Sequence, residues 1–375
     1  MLVQKIVDDI WLQLSKKKTS NHLYKGLYGI EERIHKIERL LRIGSTDARI
    51  IGICGMGGIG KTTLASAIFQ KLYPFFEGRC FLENVRDASA GHGLDLLRKK
   101  LLNELFNDRA ILSLDTPFVV SPFIGDRFSR KKVLIVLDDV DSLTNLEALI
   151  KGYEEVAPGS RIIVTTRDAH VLKNVADPIY EVEGLDYSES LDLFHLHAFK
   201  KERPAKDFAM LSGSVAYYAN GNPLALRALG SLLNSRPIEE WKDALKKLEM
   251  VPDQNIQNVL RISYEGLDYE QQDLFLDIAC FFACSTRTFK RHDVESIVDE
   301  DSSPKLGISV LNERSLVTAA GDNDDVRMHS LIQQMGSAIV CEEHKEPGKR
   351  SRLWIPKDIS YVLKTTSVSE NAFGF

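Results

Sequence analysis

Eight consecutive residues, Gly55-Met56-Gly57-Gly58-Ile59-Gly60-Lys61-Thr62, fit the pattern G-x-x-x-x-G-K-[ST] at every fixed position. The chemistry this spacing allows is phosphate binding. Glycines let the backbone curl so that successive N–H groups point inward at phosphate oxygens, and a following helix adds the partial positive charge of its N-terminus. Lys61 is placed to reach a β- or γ-phosphate, and Thr62 to offer its hydroxyl to Mg²⁺. A glycine turn with no ligand has the same composition but not the same flanks. Here Ile50–Cys54 reads as a buried strand and Thr63–Leu72 as a helix start.

Two further segments carry charge on apolar runs. Lys132 to Asp139 is an apolar strand ending in two carboxylates, the Walker B arrangement downstream of a phosphate loop. Asp138 is the candidate Mg²⁺ residue, acting through water, and Asp139 the candidate to position or activate an attacking water. Without the glycine loop, a strand capped by solvated acids would be the better reading. Gly159 to Arg167 is another buried strand, ending in a cation that can read a γ-phosphate by bidentate contact. The plainer alternative is an arginine paired with Asp168 or another acid. No guanine-reading N-K-x-D tetrad follows the loop, which favours adenine.

Positioning such groups takes a parallel sheet. Strand-like runs at Ile50–Cys54, Cys80–Val85, Val133–Leu137, Arg161–Thr165 and Ile179–Val182 alternate with helical stretches such as Leu94, Leu97, Leu101, Leu102 and Leu105. That alternation predicts an α/β P-loop NTPase domain over residues 23–185, with helices on both faces and ligands beyond the carboxyl ends of the strands. A linker helix over 1–22 precedes it, with Val3, Ile6, Val7, Ile10, Trp11 and Leu14 on one stripe. Strands then stop. Residues 186–252 predict an α-helical bundle, with helices at Ser188–Phe199, Asp207–Tyr218, Pro223–Leu233 and Ile238–Leu248. Residues 253–365 predict a winged-helix module, with short strands at Ser315–Ala319 and Asp325–Met328, and 366–375 a loose tail.

The bulk composition narrows the class. The 375 residues are 44% apolar and 27% charged with net charge −5, which does not suit nucleic acid or an anionic membrane as main partner. Five Cys without paired spacing fit a reducing compartment. Cys280 and Cys284, one helical turn apart, read as small buried residues rather than metal ligands. The N-terminus lacks an uninterrupted apolar core, and the longest apolar stretch, Leu274–Cys284, is too short to span a bilayer and contains Asp277. A cytoplasmic or nucleocytoplasmic protein is the expectation.

These motifs in this order resemble the NB-ARC module of plant nucleotide-binding leucine-rich-repeat immune receptors, in the subgroup with an N-terminal TIR domain. Gly55 to Thr63 looks like the family phosphate loop, and Phe75 to Asp87 resembles the TIR-type segment that follows it. Leu134 to Asp139 resembles the Walker B strand, and Gly159 to Arg167 the sensor strand. Gly221-Asn222-Pro223-Leu224-Ala225-Leu226 is similar to the G-L-P-L segment, and Leu274 to Phe282 again looks TIR-type. Met328-His329-Ser330 sits where the family has Met-His-Asp.

The resemblance implies an ADP/ATP switch, ADP-bound when off and ATP-bound and self-associating when on, in plant defense signalling. It places Tyr28 and Gly29 near the adenine, and Gly55, Gly57, Gly58, Gly60, Lys61, Thr62 and Thr63 around the phosphates. Thr62 and Asp138 would serve Mg²⁺, and Arg167 the γ-phosphate. Pro223 would pack on the adenine, although a helix N1 proline accounts for it equally. His329 would reach the β-phosphate of ADP, where residues alone suggest a satisfied core histidine. The family Asp is Ser330 here, so a carboxylate beside His329 is replaced by a hydroxyl, and a less tightly latched ADP state is expected. At most slow ATP hydrolysis, as a reset, is implied. The TIR domain, with its NAD-cleaving chemistry, and the leucine-rich-repeat region that would sense a pathogen effector are not in this sequence. Two rival readings are a P-loop motor or small-molecule kinase, and a nucleic-acid binder using Lys349-Arg350-Ser351-Arg352.

Overall fold

The computed structural model describes residues 24, 26–107, 122–150, 156–199, 206–250, 252–282, 289–296, 303–319, 325–365 and 373–374. The expected helix over 1–22 lies outside them. Contacts divide the chain into two compact units: residues up to Cys54 with Gly60–Val182, and Gly55–Ile59 with Glu183 onward.

The first unit follows the expected alternation. Its elements are α1 (Ile30–Leu41), β1 (Arg49–Cys54), α2 (Lys61–Leu72), β2 (Gly78–Leu82), α3 (Val85–His92), α4 (Leu94–Phe106), α5 (Pro122–Arg130), β3 (Val133–Leu137), α6 (Leu143–Ile150), β4 (Arg161–Thr166) and β5 (Ile179–Glu181). The sheet runs β2-β3-β4-β1-β5 and every pairing is parallel. Strands β3 and β4 are buried along their whole length, which is why they read as unbroken apolar runs. The order sets β3 and β4 side by side, so the residues just past their carboxyl ends, Asp138 and Arg167, share one edge of the sheet.

Several element boundaries differ from the sequence reading by a few residues, two of them next to the site. Helix α2 begins at Lys61, so Lys61 and Thr62 lie in its first turn rather than ahead of it. Strand β2 ends at Leu82 instead of Val85, because Asn84 takes a left-handed φ of 48° and turns the chain into α3. On α4, Leu97, Leu101, Leu102 and Leu105 are buried as expected, and so is Arg98, whose guanidinium donates to the Leu149 carbonyl of α6.

Arg161 starts β4 fully buried. Its guanidinium donates to the carbonyls of Leu41 (2.6 Å) and Arg42 (2.8 Å) at the end of α1, and to Asp47 ahead of β1. Those carbonyls have no intrahelical donor, and Arg161 supplies one.

The second unit contains α7 (Tyr187–Ala198), α8 (Lys206–Ala219), α9 (Pro223–Leu233), α10 (Ile238–Met250), α11 (Gln254–Glu265) and α12 (Tyr269–Asp277), the last continued by a π-helical turn at Ile278–Phe282. Then come β6 (Phe289–Lys290), α13 (Arg291–Glu295), α14 (Pro304–Glu313), β7 (Thr318–Ala319), β8 (Asp325–Arg327), α15 (Ser330–Glu343), β9 (Arg352–Leu353), α16 (Pro356–Thr365) and β10 (Phe373–Gly374). The small antiparallel sheet β6-β8-β7 supplies the hairpin expected before α15. Phe373–Gly374, read from sequence as part of a loose tail, pairs in parallel with Arg352–Leu353. Around α7 to α10 the core is aromatic. Trp241 packs against Phe194, Phe199 and Phe208 while its indole N–H donates to the Leu233 carbonyl. Within the TIR-like segment, Cys280 is buried; Cys284 lies outside the described residues.

Candidate nucleotide site

In the first unit, Lys61 opens α2 with its side chain buried. Gly60 ahead of it has φ 101°, a value that favours glycine. Burial, and then the nearby positive charge of Arg167, push the Lys61 ammonium down to about 7, against a smaller upward pull from Asp139 and Asp138. An ammonium so poorly solvated gains more from an anion than an exposed one does.

The next residue, Thr62, donates its hydroxyl to both oxygens of Asp138, at 2.9 and 3.1 Å. Thr165 on β4 donates to Asp138 Oδ1 at 2.7 Å and accepts from the Asp139 amide at 2.9 Å. Burial pushes the Asp138 carboxyl up, and these hydroxyls counter it. The donors are all oxygen, which suits Mg²⁺. Among the described residues no group of three or more His, Cys, Asp or Glu could hold a metal ion. Asp138 and Thr62 are the oxygen groups here that could hold Mg²⁺, with water and phosphate oxygens completing its shell.

Asp139 has a left-handed φ of 55° and two cationic partners: Arg167 Nε 3.3 Å from Oδ1, and Arg86 Nη2 3.1 Å from Oδ2. Arg167 thus pairs with an acid, Asp139, as the plainer sequence alternative expects. Arg86 was missed because its segment carries no charge pattern of its own. Gly29 is the left-handed N-cap of α1 (φ 64°), with Arg33 donating to its carbonyl at 2.7 Å, and Tyr28 before it is half-buried. A cleft of about 300 Å³ lies beside them, lined by Leu27, Thr62, Thr63, Ser66, Ala67 and Gln70.

In the second unit the tip of the glycine loop is held by the G-L-P-L-like segment. Asn222 Nδ2 donates to the Gly57 carbonyl (3.1 Å) and the Leu224 amide to that of Gly58 (3.2 Å). Gly58 has φ 77°, and a Cβ there would come 2.7 Å from Leu224 Cβ. Asn222 Oδ1 also caps α9 by accepting from the amides of Leu224 and Ala225, and Pro223 is the helix N1 proline.

His329 is the N-cap of α15. Its Nδ1 accepts from the Leu331 amide (3.2 Å) and its Nε2 donates to the Asn220 carbonyl (2.9 Å). A ring that accepts at Nδ1 is neutral, and burial keeps its pKa below the ordinary value. Backbone groups thus orient the ring, and the exposed Ser330 contributes none of these bonds. One turn on, Gln334 accepts from the Tyr218 hydroxyl and donates to the Leu248 carbonyl (2.6 Å), a pairing with no local signal in the sequence.

The basic run has internal partners. Lys349 pairs with Glu346 (2.7 Å), Arg350 with Asp358 (2.9 Å), and Arg352 with Asp273 and Asp277 (2.6 Å each). These three cations thus have acidic partners within the same unit.

A parallel sheet with this glycine loop, the Thr62–Asp138 pair and a cation at adjoining strand ends defines a P-loop NTPase domain, here followed by helices and a winged-helix module. Residues 30–204 match the NB-ARC domain family, and residues 268–344 the winged-helix domain of Roq1-like disease resistance proteins. Residues 30–204 are thus an NB-ARC domain, and the chain's homologues are TIR-type plant disease resistance proteins. Disease resistance protein RUN1 of Vitis rotundifolia is 39% identical over 364 residues, 96% of this chain and 27% of the relative. TMV resistance protein N of Nicotiana glutinosa is 40% identical over 372 residues, 97% of this chain and 32% of the relative. Disease resistance protein RPP2B of Arabidopsis thaliana is 38% identical over 348 residues, 92% and 28%. The chain therefore spans between a quarter and a third of the length of these relatives. No helix among the described residues is long and apolar enough to cross a membrane.

Proposed function

We propose that this chain is the ADP/ATP-binding switch of a plant intracellular immune receptor, ADP-bound at rest and ATP-bound and self-associating when active. The observation that carries the reading is the buried Lys61 ammonium in the first turn of α2, beside the Thr62–Asp138 pair. In this reading the loop amides and Lys61 hold the phosphates, Thr62 and Asp138 orient Mg²⁺, and Arg167 reads the γ-phosphate. Tyr28 and Gly29, next to the cleft over α2, face the base. Slow hydrolysis resets the switch.

Exchange alone does not drive such a switch. Moving a population from 1:99 to 99:1 takes about 5.5 kcal/mol of differential affinity. One charge-assisted contact to a γ-phosphate supplies about 1.5–3 kcal/mol. A second input is required, and sensing of a pathogen effector by the full-length receptor fits that need. A motor or kinase would instead show steady turnover.

Chromatography of the nucleotide released on denaturing the purified protein should give ADP. Lys61→Ala should lose it, with affinity down at least about tenfold. Normal ADP retention by Lys61→Ala would overturn the site.

A further inference from the structure

Asp139 stands where three strand ends meet. The Asp138 amide donates to the Leu82 carbonyl closing β2 (2.8 Å), and the Val85 and Arg86 amides opening α3 donate to the carbonyls of Asp138 (2.8 Å) and Asp139 (3.2 Å). On the other side the Asp139 amide bonds Thr165 on β4. The backbone of Asp139 is thus fixed from both flanks, and its left-handed φ aims the carboxylate between two arginines on different elements. Each oxygen faces one guanidinium: Oδ1 that of Arg167, Oδ2 that of Arg86. All three side chains are largely withdrawn from water, at 14% exposure for Asp139, 18% for Arg167 and 21% for Arg86. Arg86 also pairs with Asp87, which is mostly exposed.

We propose that Asp139 is a counter-ion brake that sets the discrimination between nucleoside triphosphate and diphosphate, by holding Arg167 and Arg86 away from a γ-phosphate. The proposal rests on the nucleotide-binding reading above. The Arg167–Asp139 pair is close enough to Lys61 for both charges to act on its ammonium, which places the clasp at the phosphate end of the site.

The physics has two parts. A γ-phosphate can recruit the guanidiniums, which bind phosphate in the same forked geometry as carboxylate, only by breaking their pairs with Asp139. The carboxylate it displaces is then left beside the added negative charge, a repulsive element directed at the triphosphate. A diphosphate, lacking that group, meets neither cost. Arg86 is, on this account, a second γ-phosphate cation alongside Arg167, and Asp139 a positioning residue rather than the base that takes a proton from water.

The test uses the full chain, with ADP and a non-hydrolysable ATP analogue titrated by calorimetry. Asn keeps the shape of Asp and tolerates a left-handed φ, so Asp139→Asn is the least disruptive substitution at this position. Its preference for the ATP analogue over ADP should rise about tenfold over wild type, and Arg86→Gln should lower that preference. Because the ratio is read within each variant, a merely structural loss, which weakens both nucleotides together, does not move it. An unchanged ratio in both variants, with ADP still bound, overturns the brake and leaves the nucleotide reading standing. Failure of the wild type to bind either nucleotide overturns both. If Asp139→Asn does not fold, the Arg86→Gln ratio decides alone.

Discussion

Around Lys61, charged side chains of the first unit face one another across the strand ends: a buried ammonium, two carboxylates and two guanidiniums, with burial lowering the pKa of Lys61 and raising that of Asp138. Around the glycine-loop tip, in the second unit, the links are neutral and go mostly to backbone: Asn222 to Gly57, Leu224 to Gly58, His329 to Asn220, Gln334 to Leu248. Where the second unit buries a full charge, as at Arg352, two carboxylates neutralise it. The difference is instructive. Charge held out of water responds to a ligand's charge, whereas satisfied neutral bonds hold a conformation and are indifferent to ligand charge or salt. The first arrangement suits a site that must distinguish anions, and the second a frame that must keep its shape until it is broken.

Three substitutions or conditions can break that contrast in the second unit. The largest effect is expected at Asn222, whose one amide group both caps α9 and holds the loop tip. Asn222→Ala should lower the unfolding free energy by about 2–3 kcal/mol, read by urea denaturation. No loss of stability would show that the neutral links are not structural. Next is Gln334→Leu, which leaves the Leu248 carbonyl and Tyr218 hydroxyl without their partner. A loss of about 1–2 kcal/mol, the same at low and high salt, is expected; a salt-dependent loss would mean that charge is at work there too.

Smallest is the pH response of His329. Its folded pKa lies below the unfolded value near 6.5, so the unfolded chain takes the proton first as pH falls. The stability contributed by the neutral ring is therefore complete above about pH 6.5 and is lost as pH drops through the folded value. An unfolding series should show a decline of about 1 kcal/mol or less on acidification, reduced in His329→Asn. Identical profiles for the two proteins would show that His329 does not titrate with folding.

What was legible in the sequence follows from the range of the interactions. The loop, Lys61, Thr62, Asp138 and the five strands could be read because each belongs to a contiguous motif or an unbroken apolar run. Arg86 and Gln334 could not, since their partners lie on other elements and neither stands out from its neighbours. The Asn222 side chain reaches Gly57 across 165 residues; its role at the helix start was visible but its second bond was not. The extension of β2 to Val85 failed for a local reason, because Val85 reads as an apolar strand residue while Asn84 turns left-handed. The same long-range logic explains Ser330. Its departure from the family Asp suggests a loosened His329, yet the ring is steadied by main-chain atoms that no substitution at 330 removes.

One more consequence lies in Arg161. Strand β4 has this guanidinium gripping the end of α1 at its first residue, and Arg167 follows its last, about 20 Å away at the usual rise per residue. Strands hydrogen-bonded on both sides do not stretch or bend easily. The strand therefore works as a rigid spacer, fixing the distance between the end of α1 and the arginine at the opposite rim with no loop between them.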